Sequence, residues 1–419
     1  MGRAIRDRRI RPLLILLLAV GPIWGGCVAC AEGEKPASLV RDSAGVQIVE
    51  TRRMAWEREP GWVISPAPTL EIGTREGEEP LQFFRVAGGR RLADGRIVVL
   101  NSGTRTIRIF SPDGHFLQEF GRAGEGPGEF LALSSLHLLR GDTLFVWDGY
   151  RRAFSLFTPA GQFVHSRRLD WAGPEQLHSI RPLPDGRIVA KTYAGPFTGG
   201  REAGPGIHRP AAPLLLFGPD GALLDTIGMF PNAESAVFEL GGQPAFTPPP
   251  FDKNIFFDVR GSSIILGTAE AMEVSVWDMD GGPRAIYRYP NLDLTVRQGD
   301  RDWWRARYME SATTPEAVRE TNALLDRLPF PETGAAFTAL RVGPDGHVWL
   351  RTGRHLLYYG PSREWTILSP EGSFLGTISL PPNFFMLDIG PTEVIGVWRD
   401  ELDTEFIRVY TLEKPGSPD

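Results

Sequence analysis

Residues 92–121 read LADGRIVVLNSGTRTIRIFSPDGHFLQEFG, and the fold follows from how this run divides. "RIVVL" follows an Asp-Gly pair, "TIRIF" alternates, "PDG" turns the chain again, and "FLQEF" alternates once more. Strand-length runs bounded by tight-turn residues are the pattern of a small antiparallel sheet. The same unit returns along the chain. Its first turn recurs in RGDTLFVWD (140–148), LPDGRIVAK (183–191), RGSSIILG (260–267), GPDGHVWLR (343–351) and GPTEVIGVW (390–398). Its second turn recurs in TPAGQFV (158–164), GPDGALL (218–224), MDGGPRAIY (279–287) and SPEGSFLG (369–376). Six first turns against five complete second turns leave the last unit one strand short. PTLEIGT (68–74) resembles the strands that end the other units. An N-terminal strand that closes the last sheet would remove an exposed edge. The expectation is an all-β fold, a six-bladed β-propeller over residues 68–419.

The 48 Gly and 36 Pro, about a fifth of 419 residues, suit many short elements joined by turns. "VWD" at 146–148 and 276–278 lacks the regular spacing and Gly-His partner of WD-type blades, so each Trp is read as filling space between sheets. DGRIVVLNSGTRTIRIFSPDGHFLQEFGRAGEGPGEF resembles an NHL-type repeat, most closely over residues 92–130. The whole chain is similar to bacterial exported six-bladed propellers, including the leader DSAGVQIVE at 42–50. That resemblance implies a fold and an extracytoplasmic location. It implies no particular reaction, because propellers host many.

The first residues fit an exported protein. Arg3, Arg6, Arg8, Arg9 and Arg11 precede LLILLLAVGPIW, which is followed by small residues and both cysteines. This is a secretory signal over residues 1–26, with an apolar run too short for an ordinary membrane span. Gly25-Gly26-Cys27 resembles a lipobox, with Trp24 where a small aliphatic residue is usual, and points to lipidation at Cys27. Ala29-Cys30-Ala31 offers the other exit, an ordinary cleavage site. Residues 27–67 then form a linker and leader strand. Without the signal, 40 basic residues face 50 acidic ones, a net charge of −10. That excludes nucleic acid as a partner, because phosphates would be repelled. Membrane contact is expected only through the lipid.

The glycines of EFGRAGEGPGEFL (119–131) raise the question of a phosphate loop. Such a loop leads into a helix and is followed by Lys and Ser or Thr. Here Glu125 and Glu129 would repel phosphate, so the stretch is read as the crossover between the first two blades.

Extra residues are not spread evenly. In a propeller the turns after the first and third strands of a blade share one face, and all the tight turns above belong there. The opposite face receives insertions at 192–213, 229–254 and 292–336, about 90 residues in all. Binding residues concentrate on long loops held by a rigid scaffold, so the function is placed on that face. TTPEAVRETNALLDRLPFP predicts a helix capped by Thr314, with Pro315 at its first position and Pro329 beyond its end. Before it, Trp303, Trp304 and Tyr308 stand among Arg301, Arg305 and Arg307. They are either a platform for a sugar or anion or an amphipathic helix packed on the blades.

Catalytic signals are sparse. No His-Glu-x-x-His, no Gly-x-Ser-x-Gly and no specific Ser/His/Asp set occurs. His208, in the blade-three insertion, is the one histidine on the elaborated face singled out. Some similar propellers are calcium-dependent lactone hydrolases with oxygen ligands in the central channel. On that resemblance Asn254, Asp258 and Glu270 are candidate ligands and calcium the candidate metal, although Asx residues at strand ends also cap turns. The expectation is a binding scaffold for a small molecule, glycan or protein, with Trp303, Trp304, Arg305, Tyr308 and His208 as contact residues. The alternative is a metal-dependent hydrolase or lyase.

Overall fold

The computed structural model describes residues 37–198, 203–279, 282–290, 292–353 and 363–415. The signal segment, Cys27 and Cys30 lie outside them. Six antiparallel sheets follow the chain. Blade 1 is Val86–Arg91, Ile97–Asn101, Thr106–Phe110 and Phe116–Phe120. Blade 2 is Leu133–Leu138, Leu144–Asp148, Ala153–Phe157 and Phe163–Arg168. Blade 3 is Gln176–Pro182, Ile188–Tyr193, Ala211–Phe217 and Leu223–Pro231. Blade 4 is Phe256–Arg260, Ser263–Gly267, Glu273–Asp278 and Gly282–Arg288, and blade 5 is Leu340–Val342, Val348–Thr352, Glu364–Leu368 and Phe374–Ser379. Blade 6 takes Phe384–Ile389, Glu393–Arg399 and Glu405–Glu413 from the end of the chain and Leu70–Ile72 from its beginning. The sequence pattern therefore assigned each blade, and the borrowed strand, correctly.

The second strands are apolar without alternation because each has a neighbouring blade on both faces. In blade 1, Val98 and Leu100 enter a cluster with Leu136 and Val146 of blade 2. Ile97 and Val99, on the other face, pack with Ile395 and Val409 of blade 6. Six such clusters fill the six gaps between neighbouring blades. Trp147 lies in the gap between blades 2 and 3, the space-filling role expected of it.

The N-terminal segment does more than close blade 6. Ser38–Ser43 and Val46–Thr51 form a hairpin whose second strand runs parallel to Gly282–Arg288, so blade 4 carries six strands. The next turn lays Trp56 on the outer strand of blade 5, where a Cβ on Gly376 would come within 2.4 Å of the indole. Val63–Ile64 and Leu70–Ile72 then pair with the outer part of blade 6. Residues 38–72 are a strap across three successive blades.

The glycine stretch at 119–131 is a crossover. Glu129 accepts a hydrogen bond from the Gly126 N–H at 2.8 Å and pairs with Arg122. A Cβ on Gly124 (φ +150°) would meet that carboxylate. The loop thus holds its own anion, and these two contacts keep Glu129 below the usual carboxylate pKa.

On the elaborated face, α1 (Gln298–Met309) and α2 (Pro315–Leu325) form the third insertion, with Thr314 Oγ1 accepting from the Ala317 N–H at 3.1 Å. The first two insertions build a small sheet from Gly206–His208, Ser235–Leu240 and Gln243–Thr247. Trp304 stacks on Tyr308 with centroids 4.9 Å apart and meets Phe330 edge-on. Together with Phe251, Leu325 and Leu328 they make the hydrophobic core of this cover.

Two stability series test this architecture. Ile72 is 2% exposed in the closing strand, so Ile72→Ala should cost about 2–4 kcal/mol in denaturant unfolding. Val40→Ala, at a side chain 57% exposed on the strap, should change stability by less than about 0.5 kcal/mol. Equal effects would refute closure as the critical contact. Trp304 is 6% exposed and Trp303 37%. Trp304→Ala should therefore cost about 3 kcal/mol or more, and Trp303→Ala clearly less.

Candidate functional site

The three insertions meet over blades 3 and 4 in a buried polar network. Asn232 donates to the Thr192 carbonyl at 2.6 Å, and Arg209 reaches the Asn232 carbonyl, the Thr268 carbonyl and Glu270. Glu234 accepts from the Lys253 backbone N–H at 2.9 Å and pairs with its ammonium at 3.4 Å. The same ammonium donates to the Thr333 carbonyl at 2.6 Å. Lys191, buried beside them, donates to Asn254 Oδ1 and the Ile255 carbonyl at 2.8 and 3.0 Å. Desolvation lowers the Lys191 pKa to about 8. Every charge in this network has a partner, which is the condition for burying it.

Beside the network a cleft of 290 Å³ opens between blades 4 and 5, under the third insertion. Met54, Met272 and Tyr289 give it an apolar side, and Asp252, Asp293, Asp300 and Glu364 supply carboxylates. Blade 5 supplies a row of hydroxyls. Thr352 and Thr366 lie 3.0 Å apart and Thr366 and Thr377 3.4 Å apart, across three adjacent strands. No basic side chain lines the cleft among the described residues. Burial, with Glu234 nearby, raises the Asp252 pKa to about 6, and Asp252 has no ion pair among the described residues. The Asp293 carboxylate pairs with Arg297 and is held well below the usual range. The cleft is therefore acidic on one side, hydroxylated on another, and apolar between.

The residues singled out from sequence do not share one site. Trp304 and Tyr308 belong to the core of the cover, and Trp303 stands at its surface. Arg305 ties α1 to α2 through the Leu325 carbonyl and Asp326. His208 Nε2 bonds the Gly204 carbonyl at 2.6 Å within its own insertion. Asn254, Asp258 and Glu270 do not converge either. Each faces a different cation: Lys191, Arg181 and Arg209 respectively. No group of three or more His, Cys, Asp or Glu side chains converges among the described residues.

Of a second constellation, in the central channel, sequence reading named only Asp258 and missed the rest. The six inner strands each place one polar side chain at the same level: Arg90, His137, Arg181, Asp258, Arg341 and Asp388, in blade order. They line a cavity of 550 Å³ that opens on the face with short turns. Arg90 pairs with Asp388 at 2.8 Å and also donates to the Leu387 carbonyl. Arg181 pairs with Asp258 at 2.8 Å, and the other Asp258 oxygen accepts from the Val342 N–H at 3.0 Å. Desolvation and the surrounding arginines push the His137 pKa well down, so it is neutral at pH 7. A signal was present in the sequence. In blades 1, 3 and 5 an Arg precedes the turn aspartate by four residues (Arg90/Asp94, Arg181/Asp185, Arg341/Asp345).

Among the described residues no helix is long and apolar enough to cross a membrane. A family described as 6-bladed beta-propeller matches residues 90–181. No curated protein matches the chain. Among solved structures, a member of the duf4221 family from Bacteroides vulgatus is 8% identical and similar over 85% of this chain and 100% of its own, with a TM-score of 0.50. A candidate exported protein from Bacteroides fragilis is 11% identical over 88% of this chain and 100% of its own, with a TM-score of 0.48. Virginiamycin B lyase from Staphylococcus aureus is 9% identical over 84% of this chain and 100% of its own, with a TM-score of 0.41. At such identities likeness speaks to fold alone. On the strand order, the six inter-blade cores and the family match, the chain is an all-β, six-bladed β-propeller.

Proposed function

We propose that this is an exported propeller, anchored by a lipid on Cys27, which binds a neutral or cationic small molecule in the cleft between blades 4 and 5. In this reading it acts as a binding protein, not as a catalyst. The supporting observation is the composition of the cleft. Four carboxylates and a row of threonines face an apolar side, with no basic side chain among the described residues to receive an anion. A sugar or amine-bearing molecule matches this set: hydroxyl or ammonium donors meet carboxylates and threonine oxygens, and the carbon skeleton meets Met272 and Tyr289. Export and anchoring are supported by the signal-like residues 1–26 and the Gly-Gly-Cys sequence.

The test is a thermal-shift and calorimetric screen of neutral sugars, primary amines and matched carboxylates. Sugars or amines should bind, and Thr366→Val or Asp252→Asn should weaken them by about ten-fold or more. A screen in which only carboxylates bind, or in which both variants bind normally, would sink the proposal. Anchoring is tested separately by metabolic labelling with a fatty acid, which Cys27→Ser should abolish.

The pH dependence has a defined sign. The folded-state pKa of Asp252, about 6, lies above its unfolded value. Its stabilising contribution is therefore complete below the unfolded value and is lost as pH rises through about 6. Asp252→Asn should raise Tm at pH 7.5 by about 2–4 °C and have a smaller effect at pH 4. An amine ligand should bind wild type more tightly at pH 7.5 than at pH 5, and the variant equally at both.

A further inference from the structure

The channel ring has an electrostatic imbalance that its own contacts do not resolve. Its six positions carry three guanidinium groups, two carboxylates and one neutral imidazole. The carboxylates are both engaged by arginines of adjacent blades, Asp388 by Arg90 and Asp258 by Arg181. What remains is His137 in blade 2 and Arg341 in blade 5, on opposite sides of a six-membered ring. His137 Nε2 lies 3.2 Å from Ser135 Oγ. Among the described residues nothing accepts a hydrogen bond from the Arg341 guanidinium, and no carboxylate lies within ion-pair distance of it. Nearer the mouth, Arg91 pairs with Glu393 at 2.5 Å, and Asp142 accepts from the Ala93 N–H at 2.8 Å. Arg91 and Glu393 thus neutralise each other, while Asp142 keeps its charge at the mouth.

A guanidinium holds five donors in a fixed plane and suits carboxylate or phosphate oxygens. Arg341 keeps its charge at neutral pH although desolvation, with Arg181 and Arg90 nearby, lowers its pKa to about 10, the more distant carboxylates of Asp258 and Asp388 offsetting part of the shift. Desolvation without a directly paired carboxylate is unfavourable for a structural arginine and is the arrangement expected of one that receives an anion from solution. The cavity is larger than a bare oxyanion requires and falls in the range of small-metabolite sites.

We propose that the channel is an anion site, distinct from the insertion-face cleft, in which Arg341 binds the phosphate or carboxylate of a small molecule entering from the short-turn face. Arg90 and Arg181 are neutralised by their aspartates and leave Arg341 as the anchoring charge, and His137 across the channel offers a neutral hydrogen-bonding group.

The experiment titrates the full chain and its Arg341→Gln variant with inorganic phosphate, glycerol phosphate and citrate at low ionic strength, read by calorimetry and Tm. At least one of these anions should bind wild type and raise its Tm, with affinity falling about ten-fold or more in Arg341→Gln. Stronger binding of glycerol phosphate than of inorganic phosphate would identify a phosphate ester as the source. The reverse order would identify free phosphate, and a preference for citrate a carboxylate. Without ligand, Arg341→Gln should match or exceed wild type in Tm, because it removes a desolvated charge. A variant that is less stable without ligand would show that Arg341 holds the blades together, and the proposal would fall. It would also fall if none of the anions bound wild type, or if both proteins responded equally. Asp252→Asn, in the other cleft, should leave the titration unchanged, which separates this site from the one proposed above.

Discussion

Three residues close the molecule. Leu70–Ile72 hydrogen-bond to Ile407–Val409 and supply the outer strand that the last blade lacks. Each blade has two apolar faces, and only a neighbour on each side can cover both. An open row of six would leave two such faces in water, whereas a ring leaves none. Ile72 is itself part of the core between blades 6 and 1. The register there helps bring six inner strands around one axis, and with them the six polar residues of the channel.

From that constraint the two faces diverge. On one, tight turns of two to five residues keep the surface low and leave the channel open. On the other, insertions stack helices and a small sheet over blades 3 and 4, at the cost of burying Glu234, Lys253 and Lys191 and half-burying Arg209. Such burial is tolerated because nearly every polar atom meets a backbone carbonyl or an opposite charge. It also fixes where the insertions lie, since a misplaced Lys253 would leave both its ammonium and Glu234 unsatisfied. The faces end with opposite chemistry. The cleft presents carboxylates and hydroxyls, and the channel an arginine without a carboxylate of its own.

The fold was legible because blade turns are local. Asp-Gly and Pro-Asp-Gly need only adjacent residues to define a turn, and six repeats of one signal outweigh errors in any single one. Thr314 and Pro315 announced α2 for the same reason. The sites were far less legible. Thr352, Thr366 and Thr377 meet across strands and are ordinary residues in each. Arg90 and Asp388 are almost 300 positions apart, and nothing local marks them as partners. Trp303, Trp304 and Tyr308 drew notice because aromatic and basic residues are conspicuous in sequence. Conspicuous composition does not distinguish a binding platform from the core of a cover, and Trp304 with Tyr308 became the core.

The strap carries a consequence for how the chain reaches its folded state. Glu50 finds Arg288 across 238 residues, Thr51 finds Phe374 across 323, and Thr69 finds Val409 across 340. Contacts of such separation carry a large loop-closure entropy and slow folding. Blades 1 to 3 can form from consecutive segments, but the strands with which Val46–Thr51 and Leu70–Ile72 pair in blades 4 and 6 exist only once the second half of the chain has been made. A stretch that precedes every blade in the chain must wait for blades 4 and 6, and until it pairs with them those two sheets keep open edges where a second unfolded chain could add a strand.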